Sequence, residues 1–125
     1  MSEAAKFDAD KAPWHLLPTD AVRCVVRVLG FGAARYQERN WETGLDWSRV
    51  YAALQRHLTA WWEGERYDPD SGMPHLWHVA TNALFLVAYE MRGVGKDDRP
   101  AQTVAQRINA AWQAIPETAT RPDSP

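Results

Sequence analysis

The chain has one cysteine, Cys24, so an intrachain disulfide is excluded. A lone thiol also argues against a structural zinc finger. With no recognisable signal sequence, the expected location is the cytoplasm. No apolar run approaches the length needed to cross a bilayer, so no membrane partner is expected. Long basic runs are missing too: 14 Lys and Arg against 16 Asp and Glu leave a net charge of −2. Duplex nucleic acid is therefore not an expected partner, whereas a small anionic ligand needs only a few local cations. The glycine-rich phosphate loop, the dinucleotide fingerprint, GxSxG and HExxH are all absent.

What remains is 125 residues with 46% hydrophobic content, enough for one domain with a real core. Seven tryptophans are unusual, and some can line a binding surface instead of the core. Cys24 lies in an apolar stretch and reads as a small buried hydrophobe.

Residues 1–10 are small and polar and read as a flexible end. Residues 11–93 form the main helical unit, 94–115 a linker and C-terminal helix, and 116–125 a disordered tail. Lys11–Pro18 carries two prolines and should lie as an extended arm that buries Trp14, Leu16 and Leu17. A first helix should begin after Pro18, capped by Thr19 or Asp20, with Val22, Val25, Val26, Leu29, Ala33 and Tyr36 at helical spacing. It is apolar nearly all round, which predicts a central position. Gly30 and Gly32 predict close backbone approach or a break near Phe31.

Gln37–Leu45 reads as a loop. Asp46 or Ser48 should cap a second helix over about Trp47–Gly64, whose stripe is Trp47, Val50, Tyr51, Leu54, Leu58 and Trp61. An acidic loop with Pro69 and Gly72 leads to a third helix over Pro74–Arg92, stopped by Gly93 and Gly95. A weaker fourth helix spans about Pro100–Ala114. No repeat or alternating strand pattern is present. The expected fold is all-α, a four-helix bundle-like domain.

Four groups of residues can carry chemistry. At about 100° per residue, His75, His78 and Asn82 share one face of the third helix amid apolar neighbours, and Tyr89 continues the line. Imidazoles one turn apart suit chelation of one ion, and the bland reading is a hydrogen-bonded polar seam. His57 sits at the edge of the apolar face of the second helix. A short connection would set the two helices antiparallel, so His57 can face His78 or Asn82. The acids Glu63, Glu65, Asp68 and Asp70 lie on the loop joining those helices, where a carboxylate could complete a metal shell or position water; the bland reading is a solvated loop. Finally, Arg35, Tyr36, Arg39, Asn40 and Trp41, with Lys11 from the arm, form a kit suited to a nucleotide: guanidinium to phosphate, ring to base. Ordinary surface charge is the alternative.

Taken in order, KAPWHLLP, FGAARYQERNWETG and RHLTAWWEGERYDPDSGMPHLWHVATNALFL resemble the phage-encoded dATP/dGTP diphosphohydrolase N-terminal domain family over about Lys11–Glu90. The resemblance implies cleavage of a purine deoxynucleoside triphosphate to monophosphate and diphosphate with a divalent metal, in the cytoplasm of a phage-infected bacterial host cell, serving phage control of nucleotide pools. It also implies a fold similar to the MazG-like all-α pyrophosphohydrolases. Those enzymes carry EExxE and ExxD on helices. Here EExxE is absent, and the one ExxD, Glu65–Asp68, falls in a loop. Where acids are expected stand Arg56, His57, His75, His78 and Asn82, so the ion would be held by imidazoles, which favour Mn, Co or Zn over Mg.

The leading reading is thus a metal-dependent nucleotide hydrolase. His57, His75 and His78 with Glu65 or Asp68 hold the ion, Lys11, Arg35 and Arg39 meet the phosphates, and Tyr36, Asn40, Trp41 and Asn82 serve the sugar or base. The rivals are a module that sequesters a nucleotide uncleaved and a helical interaction protein whose tryptophans form a subunit interface. A homo-oligomer is expected, with the first and fourth helices at its interface.

Overall fold

Pro18 has a fixed φ near −73° and no amide to leave unpaired, and the chain turns helical directly after it. In a computed structural model, which describes residues 5, 7, 9–100 and 104–116, four α-helices follow one another. They are α1 (Thr19–Arg35), α2 (Trp47–Trp62), α3 (His75–Arg92) and α4 (Val104–Gln113). Short 3-10 turns lie at Trp14–Leu16 and Asn40–Thr43, and no strand forms among the described residues beyond two isolated bridges. The fold is all-α. None of the described helices is long and apolar enough to cross a membrane. The stretch 117–125, expected to be a disordered tail, lies outside the described residues, as does much of 1–10.

α2 and α3 form the heart of the molecule, and α1 packs on α3. Trp47, at the start of α2, donates from Nε1 to Val94 O at 2.9 Å just past the end of α3. Glu65, past the end of α2, meets His75 at the start of α3. The two helices are therefore antiparallel. The interior among the described residues is small: Val25, Val28, Val50 and Tyr89 are its buried hydrophobics, beside buried His75, His78 and Thr81.

Several local expectations change. Neither Thr19 nor Asp20 caps α1; Pro18 holds the cap position and Asp20 Oδ1 accepts only from Ala21 N. α1 is not central. It turns Val25 and Val28 inward, while Val26 is 62% exposed, because α2 and α3 pair chiefly with each other and α1 packs mainly on α3. α1 also runs unbroken through Gly30 and Gly32, and nothing lies within 4 Å of a Cβ placed on either. The arm does not bury its apolar residues, as Trp14 and Leu16 are more than 70% exposed. Cys24 is half-buried.

The cap of α2 comes from far along the chain. Asp46 makes no side-chain cap bond. Instead Asp98 accepts from Ser48 N at 2.8 Å and from Ser48 Oγ, and Lys96 O accepts from Trp47 N at 3.0 Å. The return of the chain from α3 to the start of α2 requires two glycines back to back. Gly95 has φ +80°, and a Cβ there would sit 2.5 Å from Leu45 O; Gly44 has φ +92°, and a Cβ there would sit 2.7 Å from Gly95 N.

This crossing generates a stability prediction. Gly95→Asn should destabilise by about 1–3 kcal/mol or more, because space is lacking as well as conformational freedom. Gly93→Asn should cost far less: φ is +64°, which Asn tolerates, and nothing crowds the position. Asp98→Ala should cost about 1 kcal/mol through the lost cap. Urea unfolding of the three variants checks this order, and equal losses at Gly93 and Gly95 would contradict it.

Candidate functional site

Three imidazoles meet where α2 faces α3. His57 Nδ1 lies 2.8 Å from His75 Nδ1, and the His57 ring stacks on His78 with centroids 4.5 Å apart and planes 10° apart. His75 Nε2 is 2.6 Å from Glu65 Oε1. A carboxylate accepts from an N–H, so the Glu65 contact calls for a proton on His75 Nε2, and the two facing Nδ1 atoms share one hydrogen bond. His78 Nε2 lies 2.7 Å from Ser71 Oγ, and the His78 carbonyl accepts from Asn82 Nδ2 at 2.9 Å. The polar face read on the third helix is thus a connected network. Among the described residues every buried side-chain nitrogen and oxygen has a partner.

The acidic loop is folded back on itself. Asp68 N donates to Met73 O at 2.8 Å, Gly72 N to Asp68 O at 2.7 Å, and His75 N to Arg66 O at 2.8 Å. Gly72 takes φ +74° at the bend. The result aims Asp68 inward, where its carboxylate accepts from Ser71 N at 3.1 Å and lies 3.6 Å from His78 Nε2. Glu63 stays exposed, and Asp70 turns outward to pair with Arg35.

Charge is controlled by this packing. Burial pushes the His57 pKa down, the neighbouring His78 adds to the effect, and Asp68 opposes it. Burial likewise pushes His78 down against the pull of Asp68. For Asp68, burial acts upward, but the hydrogen bonds from Ser71 and the Asp70 backbone outweigh it and hold the carboxyl below its usual range. A neutral His57 and an anionic Asp68 are in the protonation states a metal requires of its ligands. One donor atom each from His57, Asp68 and His75 lie within 4.8 Å of one another, which fits a single ion. Glu65 stands behind His75 on its far nitrogen, and His78 is tied to Ser71, so these two support the group from outside the set of convergent donors.

The second wall comes from the C-terminal end of α1 and the turn after it. A cleft of ≈790 Å³ is lined by Arg35, Tyr36, Arg39, Asn40 and Trp41 opposite His57, Asp68, His78 and Asn82. Trp41 stacks on Phe85 at 4.7 Å, and its carbonyl accepts from buried Tyr89 Oη at 2.5 Å, which fixes the wall to α3. Arg39, with φ +59°, bends the chain into the Asn40–Thr43 turn. The structure does not bring Lys11 to the cleft; it is exposed and lines no part of it. Ser71 and Glu42 were missed from sequence. Ser71 sits at a turn position that reads as mere loop, and Glu42, the partner of Arg39 and Arg92, looks like an ordinary loop charge.

Acid should destabilise the fold through the histidines. Below about pH 6.5 the unfolded chain protonates His57 and His78 while the folded chain resists. The unfolded state then binds more protons, so stability rises with pH and is lost as pH falls below that value. The depressed Asp68 adds a further loss near and below about pH 4. Urea midpoints should fall from pH 7.5 to pH 5.5, and a His57→Gln/His78→Gln variant should show a flatter dependence. A midpoint unchanged or raised at pH 5.5 would contradict the neutral-imidazole assignment.

Comparison with known proteins places this geometry in a family. A family model described as dATP/dGTP diphosphohydrolase, N-terminal, matches residues 1–99, which takes in α1 to α3 and the segment that caps α2 but stops short of α4. A Salmonella phage PMBT28 protein named dATP/dGTP diphosphohydrolase is 32% identical over 94 residues, which covers 75% of this chain and 32% of that protein. The chain thus spans about a third of the length of that curated relative. No solved structure matches. The chain belongs to the dATP/dGTP diphosphohydrolase N-terminal family.

Proposed function

We propose that the chain hydrolyses a purine deoxynucleoside triphosphate, dGTP or dATP, to monophosphate and diphosphate in the cleft between α1 and the α2–α3 pair, and so acts on nucleotide pools in the cytoplasm of a phage-infected cell. The observation that carries the reading is the meeting of a metal-competent group, His57, Asp68 and His75, with an arginine and aromatic wall in one cleft. A relative named for the same activity supports it. A divalent ion held by these three residues would supply positive charge to the phosphates and acidify water.

The chain's own residues do the rest. Glu65 fixes the ring of His75, and Ser71 with the His57 stack fixes His78. Water adds to the α-phosphorus and gives its proton to His78, which burial keeps neutral and which has Asp68 3.6 Å from its Nε2. As the new P–O bond forms, the P–O bond to the β-phosphate breaks and diphosphate leaves. Arg35 and Arg39 meet phosphate oxygens after exchanging their carboxylate partners for them. Tyr36 and Trp41 offer ring faces to the base, and Asn40 and Asn82 offer amides.

Incubation with each deoxynucleoside triphosphate and Mn²⁺, Co²⁺, Zn²⁺ or Mg²⁺ should yield purine monophosphate and diphosphate. Glu65→Gln should lower activity by about 10–100-fold, as expected for the residue behind a metal ligand. His75→Ala should lower it further with the helical circular dichroism retained. No turnover with any pair, with nucleotide recovered intact from the protein, would replace this reading with sequestration.

We infer further that the working form is a symmetric oligomer. The support is the thin interior of the single chain, together with exposed Val22 and Val26 on α1, Leu84, Val87 and Met91 on α3 and Ile108 on α4. A second copy of the chain would cover them. Light scattering at micromolar concentration should give at least a dimer, and removal of residues 101–125 should weaken assembly more than nucleotide turnover. A monomer under those conditions would refute the assembly.

A further inference from the structure

The arginines that face the nucleotide cleft are already engaged. Arg35 pairs with Asp70, and Arg39 pairs with Glu42. Arg92 also reaches Glu42 and covers the Trp41 ring. A triphosphate brings more negative charge than such pre-neutralised pairs can meet without first losing their partners. Two arginines elsewhere are differently placed. Arg49 and Arg56 stand on one face of α2, two helical turns apart. Among the described residues neither guanidinium has an ion-pair, hydrogen-bond or ring partner, although the Arg49 backbone N–H donates to Asp46 O.

Both line a second hollow of ≈560 Å³, whose floor includes Val50, Ala52 and Ala53. This hollow shares Leu45, Asn82 and Phe85 with the nucleotide cleft, so the two are neighbouring parts of one surface, divided at Asn82. Arg56 also adjoins His57, and its charge acts on that imidazole, which places the hollow within electrostatic reach of the metal-competent group.

We propose that Arg49 and Arg56 form an anion subsite that receives the diphosphate end of the substrate, its β- and γ-phosphates. The proposal rests on the nucleotide reading above. Each guanidinium presents paired N–H donors suited to phosphate oxygens and needs no carboxylate displaced first. The base would lie against Trp41 and Tyr36, the α-phosphate would sit near His57, and the leaving group would extend past Asn82 onto α2. Free diphosphate offers the same chemistry as the substrate's end and would occupy the same subsite.

The test uses the full chain and an Arg49→Gln/Arg56→Gln variant. Tryptophan fluorescence titrations with dGTP, dGMP and inorganic diphosphate are run in EDTA, so that no turnover occurs. In the variant, dGTP and diphosphate should each bind at least about tenfold more weakly, while dGMP keeps its affinity within about twofold. The salt dependence of dGTP binding should flatten as well. Arg49→Lys/Arg56→Lys should recover part of the loss by keeping the charge without the fork. Undiminished dGTP affinity in the Gln variant, or an equal loss for dGTP and dGMP, would overturn the subsite and leave the nucleotide reading standing. If the unaltered chain bound none of the three ligands in EDTA, the subsite would fall, because the two guanidiniums need no ion to take a diphosphate, and turnover with added metal would still decide the nucleotide reading.

Discussion

Helices α2 and α3 meet along a seam in which two imidazoles share a hydrogen bond, His57 Nδ1 to His75 Nδ1 at 2.8 Å. Burying polar groups between helices costs several kcal/mol unless each finds a partner, of order 2–7 kcal/mol for an amide or hydroxyl. Here the partners are supplied from outside the helices. Glu65 and Ser71, both on the connecting loop, close the two ends of the imidazole network. The loop must therefore fold tightly for α2 and α3 to pack, and the backbone bonds from Asp68 to Met73 and from Gly72 to Asp68 make it do so. The same fold delivers Asp68 to the histidines. Structure and candidate chemistry thus rest on one network, and a half-satisfied version of it would be worse than an apolar seam.

The rest of the molecule is arranged around that pair. The Gly44–Gly95 crossing and the Asp98 cap tie the end of α3 to the start of α2 and set the register in which His57 meets His75. Trp41, locked by Phe85 and Tyr89, holds the arginine-bearing turn against α3 and makes the second wall of the cleft. α1 covers only one side of this core, which leaves the valine pattern that looked central half in solvent.

What the sequence made legible follows from periodicity. The spacing of Val50, Leu54, Leu58 and Trp61 marks α2, and the face shared by His75, His78 and Asn82 marks the polar seam, because both are properties of a single helix. His57 opposite His78 was legible because a hairpin connection fixes antiparallel packing. Long-range contacts were not. No local rule announces that Asp98 caps α2 from fifty residues away. Nor could patterning tell that α1 would leave Val22 and Val26 in solvent, since an all-round apolar helix fits a core or an interface equally well. Gly30 and Gly32 misled for a related reason: a glycine in a helix signals close approach only if something approaches, and nothing does. Lys11 grouped with the other cations by chemistry, yet nothing local carries the arm to the cleft.

The proposed function requires the imidazole network of α2 and α3 to bind a metal ion as well as to pack the seam. Paramagnetic broadening by Mn²⁺ tests it most directly, because the chain has only four histidines and one of them, His15, lies in the exposed arm. Substoichiometric Mn²⁺ should broaden the ring resonances of His57 and His75 first, with His78 close behind, while His15 stays sharp. Broadening of all four alike, or of His15 alone, would contradict the account and leave the seam a structural feature only.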